Sequence, residues 1–403
     1  MNNRSFFILS VLLLAACGGS DSNDTAAGNT DGSGSAGGNG DATIQAGILE
    51  SVAQNLPARY AEMSSRVADL QTAIGGYCES AERVSNHAAV IAPAQSAFAE
   101  AMETVQQNLL FQFGPALVDD RMAQLYSWPL SSSCQIDQKL AENETALSAS
   151  VDRRGLDALG YLLHVAPDDG HSCDDGSETS NPQLAAFDAL SADDRQARRC
   201  EYMQAVAADA SDSARILADA WSVDGGNYGA ELVQAGQANA NLNAISDALF
   251  YLEEVVKENK LDAPLGGGVT NTAPSCGLGQ LCPDDVEAPW SRLSKSYVVD
   301  NLKGFGILFR GGSEDPATAI GFDDWLADVD EAALAERMLD DVDDAIARLE
   351  AIDDSLYDAI GNQTTQVNEV LQGPVQNLGQ TLKTEFVRAL GLDLPAGSAS
   401  DTD

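Results

Sequence analysis

The sequence predicts an all-α protein in which two packed antiparallel helical bundles carry loops stapled by disulfide bonds. Three observations support this fold class. Apolar side chains recur at steps of three or four residues over long stretches, which is the spacing of one helix face. The alternating apolar and polar pattern of a half-buried strand is nearly absent. Six cysteines follow the first one, an even number that suits disulfide bonds.

The first two helices are predicted from an apolar stripe and from a stop signal. The stripe comprises Ile44, Ile48, Val52, Leu56, Tyr60, Met63, Val67, Leu70 and Ile74. Pro57 lies inside this stretch, and we expect it to kink the helix. A second helix is predicted from Ala88 to Phe113, because Gly114 and Pro115 then end it.

The same spacing predicts the later helices. They are expected near 153–165, 183–221, 227–259 and 290–309. A C-terminal stripe comprises Leu334, Met338, Val342, Ile346, Leu349, Ile352, Leu356 and Ile360, and continues through Val367, Leu371, Leu378, Leu382 and Phe386. The C-terminal part of the chain is therefore also predicted to be helical.

The helices group into two predicted bundles, 43–165 and 183–395, which the acidic loop 166–182 connects. This loop is rich in Asp, Gly and Ser, and we expect it to act as a hinge between the halves. A second long loop, rich in Gly and Pro, is predicted at 262–288. The last residues, 396–403, are expected to form a disordered tail.

The N-terminus has the features of an export signal. Arg4 precedes an apolar run that is shorter than the roughly 20 residues needed to cross a bilayer. The run ends in Leu14-Ala15-Ala16-Cys17, which resembles a bacterial lipobox. Residues 1–16 are therefore predicted to be a signal peptide, and Cys17 is predicted to carry lipid. The alternative is an ordinary signal peptide followed by a chance cysteine.

The predicted anchor is followed by a polar tether. Residues 17–42 are dominated by Gly, Ser, Asp, Asn, Thr and Ala, so we expect a disordered spacer that holds the folded part off the membrane. Gly18, rather than Asp, follows Cys17. By resemblance to other lipoproteins, this favours the outer membrane of a Gram-negative cell envelope, with the folded part in the periplasm or outside.

The charge balance excludes one class of partner. The chain has 22 basic and 62 acidic residues, a net charge of −40, so it repels nucleic acid and anionic lipid headgroups. Two interpretations of the acidity stay open: a solubilising surface, or collection of cations.

Cysteine spacing suggests a disulfide framework. Cys78 with Cys134, Cys173 with Cys200, and Cys276 with Cys282 are predicted to pair, because each pair is close in sequence and encloses a loop. No Cys-x-x-Cys occurs, so neither a redox motif nor a zinc site is indicated.

Several short phrases resemble a known family. In chain order they are Phe-Gln-Phe-Gly-Pro at 111–115, Arg121, Leu-Tyr-Ser-Trp-Pro at 125–129, Arg-Gly-Leu-Asp-Ala-Leu-Gly-Tyr-Leu-Leu at 154–163, Trp221, Gly-Gly-Asn-Tyr at 225–228, Asn-Leu-Lys-Gly at 301–304 and Gly-Phe-Asp-Asp-Trp-Leu at 321–326. Together with the lipobox, this order resembles the imelysin-like family of bacterial envelope lipoproteins over roughly residues 45 to 395. The resemblance implies two packed helical bundles and a link to iron-regulated uptake, and some members are classed as metallopeptidases.

The family signature is incomplete in this chain. The resemblance implies Gly-x-His-x-x-Glu, in which His and Glu share one helix face and can ligate a metal. Gly155 keeps the glycine, whereas Asp157 stands in the His position and Gly160 in the Glu position. No catalytic residue is therefore assigned, and the substitutions argue against an enzyme. The alternatives are a packing helix with close approach at the two glycines, or a ligand site built from other residues.

The three histidines give one further metal candidate. His87 is expected at a helix start, and His164 at a helix C-terminus, where it suits the helix dipole. His171 lies among Asp168, Asp169, Asp174 and Asp175. Asp157 and His171 are the two weak candidates for a metal ligand, and a solvated acidic loop is the alternative for the second.

The resemblance also implies a groove between the halves, for which four more residues are candidates. They are Arg121, Tyr126, Trp128 and Arg154. In a very acidic protein, the two arginines could hold a ligand carboxylate, such as that of a siderophore or a haem propionate. The alternative for the Trp-Pro pair is a packing anchor at a helix end.

The function predicted by resemblance is a non-enzymatic, lipid-anchored binding or accessory component of iron or haem acquisition. Its predicted partners are the membrane, through the anchor, and components of iron or haem uptake. One alternative is a metallopeptidase that acts on envelope or extracellular polypeptides. A second alternative is a structural or partner-binding lipoprotein.

Overall fold

The computed structural model describes residues 40–147, 150–173, 181–268, 275–396 and 398, and in these ranges every regular element is helical. The fold is therefore all-α, as predicted. The α-helices are α1 Gly40–Glu79, α2 His87–Asn108, α3 Arg121–Leu125, α4 Ser133–Glu142, α5 Gly155–Leu162, α6 Pro182–Asp188, α7 Ala192–Trp221, α8 Tyr228–Leu232, α9 Ala238–Leu249, α10 Ser294–Phe309, α11 Phe322–Asp328, α12 Ala332–Glu350, α13 Leu356–Asn362, α14 Thr364–Val370, α15 Gln376–Thr381 and α16 Val387–Leu390. Three π-helical segments, Leu252–Asp262, Leu371–Val375 and Leu382–Phe386, continue or join these helices.

The predicted stripe of the first helix is confirmed. Its side chains from Ile48 to Ile74 are buried, and Ile44 packs against them at the start. Helix α1 remains one helix through Pro57, with α2 and α7 packed along it. The hydrophobic face alone therefore determines the longest element of the fold.

Two predicted helices are shorter than expected because the backbone leaves the helical region. The helix predicted at 153–165 is observed as the shorter α5, Gly155–Leu162. It begins only at Gly155, because Arg154 is extended and Gly155 has φ of +74°. The helix predicted at 183–221 is divided into α6 and α7. Ser191 begins α7 by accepting a hydrogen bond from the backbone of Asp194, which ends the continuous run.

Two other predicted stretches are also divided. The stretch at 227–259 contains α8, α9 and the π-helical segment Leu252–Asp262. The C-terminal stripe is interrupted between α12 and α13, where Ser355 caps the second helix. Side-chain caps therefore set boundaries that the apolar period did not reveal.

The two predicted bundles share one contiguous hydrophobic core that extends from Ile48 to Leu390. Helix α7, from the second half, has its most extensive contacts with α1, from the first. The division at 166–182 remains a prediction. The start of that loop is fastened to α7, because buried Arg195 and Arg199 donate hydrogen bonds to backbone carbonyls of 166–170.

Two of the three predicted disulfide pairs are wrong. Cys78 bonds to Cys200, and Cys134 bonds to Cys173, whereas the predicted Cys276–Cys282 pair is confirmed. The physical reason is that α1 and α7 lie side by side, so two cysteines 122 residues apart in sequence become neighbours. Sequence proximity identified the partner only for the short loop.

Several predictions concern residues outside the described ranges. These include the signal peptide 1–16, Cys17, the tether up to residue 39, and residues 174–180. Of the predicted tail, Ser398 is buried, and its hydroxyl donates a hydrogen bond to Glu254. Within the described ranges no helix combines the length and hydrophobicity that a bilayer crossing requires.

Candidate functional site

An open pocket of about 550 Å³ lies where the segment after α2 meets the end of α9. Its lining comprises Leu109, Gln112, Leu117, Met122, Ala123, Tyr126, Ser127, Trp128, Pro129, Leu130, Asp247, Ala248, Tyr251, Glu254, Val255 and Asn259. Two predicted groove residues, Tyr126 and Trp128, are therefore in the lining. We call Tyr126, Trp128 and Tyr251 the aromatic wall.

One side of the pocket is a short extended segment after α3. Tyr126 leaves the helix in an extended conformation, and the Trp128–Pro129 peptide bond is cis. Leu117 and Leu130 lie at the rim and are 62% and 48% exposed. This side of the pocket thus presents apolar and aromatic groups to the opening.

The other side of the pocket is helical. Asp247, Tyr251 and Glu254 follow one another at steps of four and three residues, so they share one face. Both carboxylates are exposed, and none of the described lining residues is basic. Partial burial of the carboxyl, with Asp393 and Glu254 nearby, raises the pKa of Asp247 to about 6. The pocket therefore combines aromatic surface with negative charge.

A hydrogen-bonded cluster lies on the core side of the aromatic wall. The ammonium group of buried Lys260 donates to the side-chain oxygens of Gln106 at 2.9 Å and Asn301 at 2.6 Å. It also forms an ion pair of 2.8 Å with Glu287 Oε2. The hydroxyl of Tyr126 donates to Glu287 Oε1 at 2.6 Å. We call Gln106, Lys260, Glu287 and Asn301 the core-side cluster.

The core-side cluster contacts the aromatic wall through Lys260. Its Nζ lies 5.7 Å from the ring centre of Trp128 and 5.5 Å from that of Tyr251. Burial lowers the pKa of Lys260, whereas the carboxylate of Glu287 opposes that shift. One buried cation thus holds two rings of the wall from behind.

Asp157, in the signature position, binds the backbone beside the pocket. Its Oδ2 accepts hydrogen bonds from the Ser127 backbone N–H at 2.6 Å and from the Ser127 hydroxyl at 3.2 Å. Burial raises the pKa of this carboxyl to about 7, and Glu287 adds to the rise. Asp157 therefore connects α5 to the extended segment that carries the aromatic wall.

Gly155, which keeps the signature glycine, and Gly160, which stands in the Glu position, both occupy close contacts. A Cβ atom at Gly155 would lie 2.8 Å from the backbone oxygen of Leu125, and its φ of +74° also favours glycine. A Cβ atom at Gly160 would lie 3.0 Å from Cζ of Phe98. These two close contacts are what the packing-helix interpretation of α5 expects.

The two weak metal candidates are held by different partners. His171 accepts from the backbone of Cys173, and its Nε2 lies 3.7 Å from Asp188. Asp174 and Asp175 lie outside the described residues. Within the described ranges, no group of three or more His, Cys, Asp or Glu side chains converges as a metal site.

Neither predicted groove arginine lines the pocket. Arg121 donates to Gln124 at 3.2 Å. Arg154 forms an ion pair with Asp209, in which Nε donates to Oδ2 at 2.9 Å. The arginines that were expected to hold a ligand carboxylate are therefore engaged within the protein.

The other histidines contribute to packing. His87 begins α2, and its Nδ1 lies 3.0 Å from the hydroxyl of Tyr77. His164 lies just after α5, with Nδ1 2.8 Å from the carbonyl oxygen of Gly160. Burial lowers the pKa of His164, whereas its hydrogen bond to the carbonyl oxygen of Gly160 opposes that shift.

Sequence reasoning missed the helical side of the pocket. Asp247, Tyr251 and Glu254 have a spacing that signals one shared face, but nothing in the sequence shows that this face meets Tyr126 and Trp128. Lys260 was also missed, because a lysine is usually exposed.

The fold and the site together define an all-helical protein with a small-molecule-sized pocket that is acidic and aromatic. The imelysin family model, labelled Peptidase_M75, matches residues 57–384. The chain therefore belongs to the imelysin family. A comparison with curated proteins finds no match.

Two solved structures have a similar fold. An imelysin-like protein from Psychrobacter arcticus 273-4 has a TM-score of 0.62 and 14% identity, over 88% of this chain and 98% of that one. A protein from Parabacteroides distasonis ATCC 8503, described as an iron-regulated protein A precursor, has a TM-score of 0.64 and 16% identity. That match covers 86% of this chain and 95% of that one. At such low identity, the likeness concerns the fold alone.

Proposed function

We propose that this imelysin-family protein is a lipid-anchored, non-enzymatic component of iron acquisition that binds an organic iron chelate in the pocket. The observation that carries the proposal is the aromatic wall, which lines a pocket with a volume of about 550 Å³. Pockets of roughly 300 to 1,000 Å³ are typical of small-molecule sites. The association with iron is supported by the family and by the description of the Parabacteroides protein as iron-regulated.

The donor chemistry supports a chelate rather than a bare ion. The lining offers the carboxylates of Asp247 and Glu254, whereas hard cations are usually held by a larger set of oxygen ligands. An organic chelate brings its own iron ligands and needs apolar contact from the protein. Haem is less well matched, because its propionates are anionic and the described lining has no basic group.

The state of α5 supports a binding role over proteolysis. A metallopeptidase needs several protein ligands around its metal. In this chain Asp157 is engaged by Ser127, and Gly160 offers no side chain. No contact in the described ranges favours the metallopeptidase alternative.

The anchor belongs to the same proposal. Lipid on Cys17, followed by the polar tether, keeps the pocket near the outer membrane, where iron chelates enter the cell envelope. The mass of the protein extracted from membranes should match a chain that begins with an acylated Cys17. Replacement by C17S should move the protein into the soluble fraction.

Ligand binding is tested by calorimetric titration of the mature protein with ferric trihydroxamates, ferric citrate and haem. We expect a trihydroxamate chelate to bind, and W128A to weaken it by about tenfold or more, because a ring of the wall is lost. The matched control is W290A, which removes a partly exposed tryptophan outside the lining. Absence of binding by every chelate, or equal loss in both variants, would overturn the proposal.

A further inference from the structure

We infer that the pocket selects ligands that carry a positive charge, with an ammonium group held between the aromatic wall and the carboxylates of Asp247 and Glu254. This inference rests on the proposed function and specifies its ligand class. It is carried by three observations: the charges of the lining, the rings, and the neutralised core-side cluster.

The carboxylates of the lining are not neutralised by the protein. Neither Asp247 nor Glu254 forms an ion pair with a described residue, and Glu254 accepts only the Ser398 hydroxyl at 2.9 Å. Asp393, on the C-terminal segment beside Asn243, adds a third negative charge near Asp247. A bound cation would relieve this repulsion, whereas a bound anion would increase it.

The rings suit a cation on their open side. Aromatic faces attract ammonium groups within about 6 Å of the ring centre. Trp128 and Tyr251 already have Lys260 near their centres on the core side, at 5.7 and 5.5 Å. Both rings, together with Tyr126, also line the opening. Three rings and two carboxylates thus surround one volume.

The buried lysine does not repel such a ligand strongly. Its charge is compensated by Glu287 Oε2 at 2.8 Å. The charged side chains of the lining itself are those of Asp247 and Glu254, and Asp393 lies near Asp247. The net charge of −40 acts in the same direction, because it raises the local concentration of cations.

The test compares ferrioxamine B, a ferric trihydroxamate with one ammonium group, with its N-acetyl derivative, which has lost that charge. We expect the ammonium form to bind about tenfold more tightly, and added salt to reduce the difference. The double variant D247N/E254Q should bind both forms equally. The matched control is D212N, on α7, whose side chain is 72% exposed and outside the lining.

The outcomes separate the inference from the proposed function. If both chelates bind equally to the unmodified protein, charge selection is wrong, while chelate binding stands. If neither binds, the iron role fails, and choline against its neutral carbon analogue 3,3-dimethylbutan-1-ol decides the inference by NMR titration. Preference for choline that D247N/E254Q abolishes would support charge selection, and equal binding of the two would overturn it.

Discussion

The two sides of the aromatic wall contrast in how their polar groups are satisfied. On the core side, Lys260 and Glu287 are buried, paired and hydrogen-bonded. On the pocket side, Asp247 and Glu254 are exposed and have no ion-pair partner among the described residues. The comparison teaches that buried polar groups need partners within the protein, whereas exposed carboxylates can be solvated by water.

The family signature lies with the core side. Asp157 binds Ser127 and is near Glu287, and the glycines at 155 and 160 allow close packing. In this chain the signature helix therefore supports the wall through Ser127, and the residues that line the pocket come from other elements.

The largest expected effect is that of K260M on stability. It leaves Glu287 buried without its counter-charge, which should lower the free energy of unfolding by about 3 to 5 kcal/mol. Urea denaturation measures this change. The control is R215A, which removes two exposed ion pairs and should cost less than about 1 kcal/mol. Similar stability of the two variants would show that the core-side cluster does not stabilise the fold.

The second prediction concerns D157N and pH. The folded-state pKa of about 7 exceeds the ordinary value of 3.8, so the folded protein holds a proton that the unfolded chain loses. Stability from this group falls as pH rises from about 4 to 7. The variant should therefore gain about 1 to 3 kcal/mol over the unmodified protein at pH 8, and little at pH 4.

Urea denaturation at pH 4, 6 and 8 checks this prediction, with the exposed-site variant D212N as control. A gain for D157N that does not vary with pH would mean that the carboxyl is already charged and satisfied in the folded protein.

The smallest expected effect is that of D247N on stability. The pKa of Asp247, about 6, is raised, as is that of Asp157. The stability contributed by Asp247 therefore also falls as pH rises toward 6. Because the carboxyl is exposed to solvent, the gain of the variant at pH 8 should stay below about 1 kcal/mol. NMR titration should give a lower midpoint for Asp247 after E254Q. An unchanged midpoint would show that Glu254 does not act on it.

Prediction from sequence worked best where one local pattern decides the outcome. The apolar period alone identified α1, and spacing identified Cys276–Cys282, whose loop is short. Tyr126 and Trp128, two of the predicted groove residues, lie in the lining of the pocket, and their role stays a prediction. Boundaries such as Ser191 and Ser355 were missed, because a single capping hydrogen bond outweighs the periodic signal there.

The sequence by itself determined the helical class and the family, because the apolar period and the ordered short motifs depend only on the order of residues along the chain. Only the tertiary structure decided that Cys78 meets Cys200 and that Asp247 and Trp128 line the same pocket. Likewise, it decided that Arg154 is engaged by Asp209. These pairings depend on which helix faces pack together, and the sum of many weak apolar contacts across the whole core sets that choice.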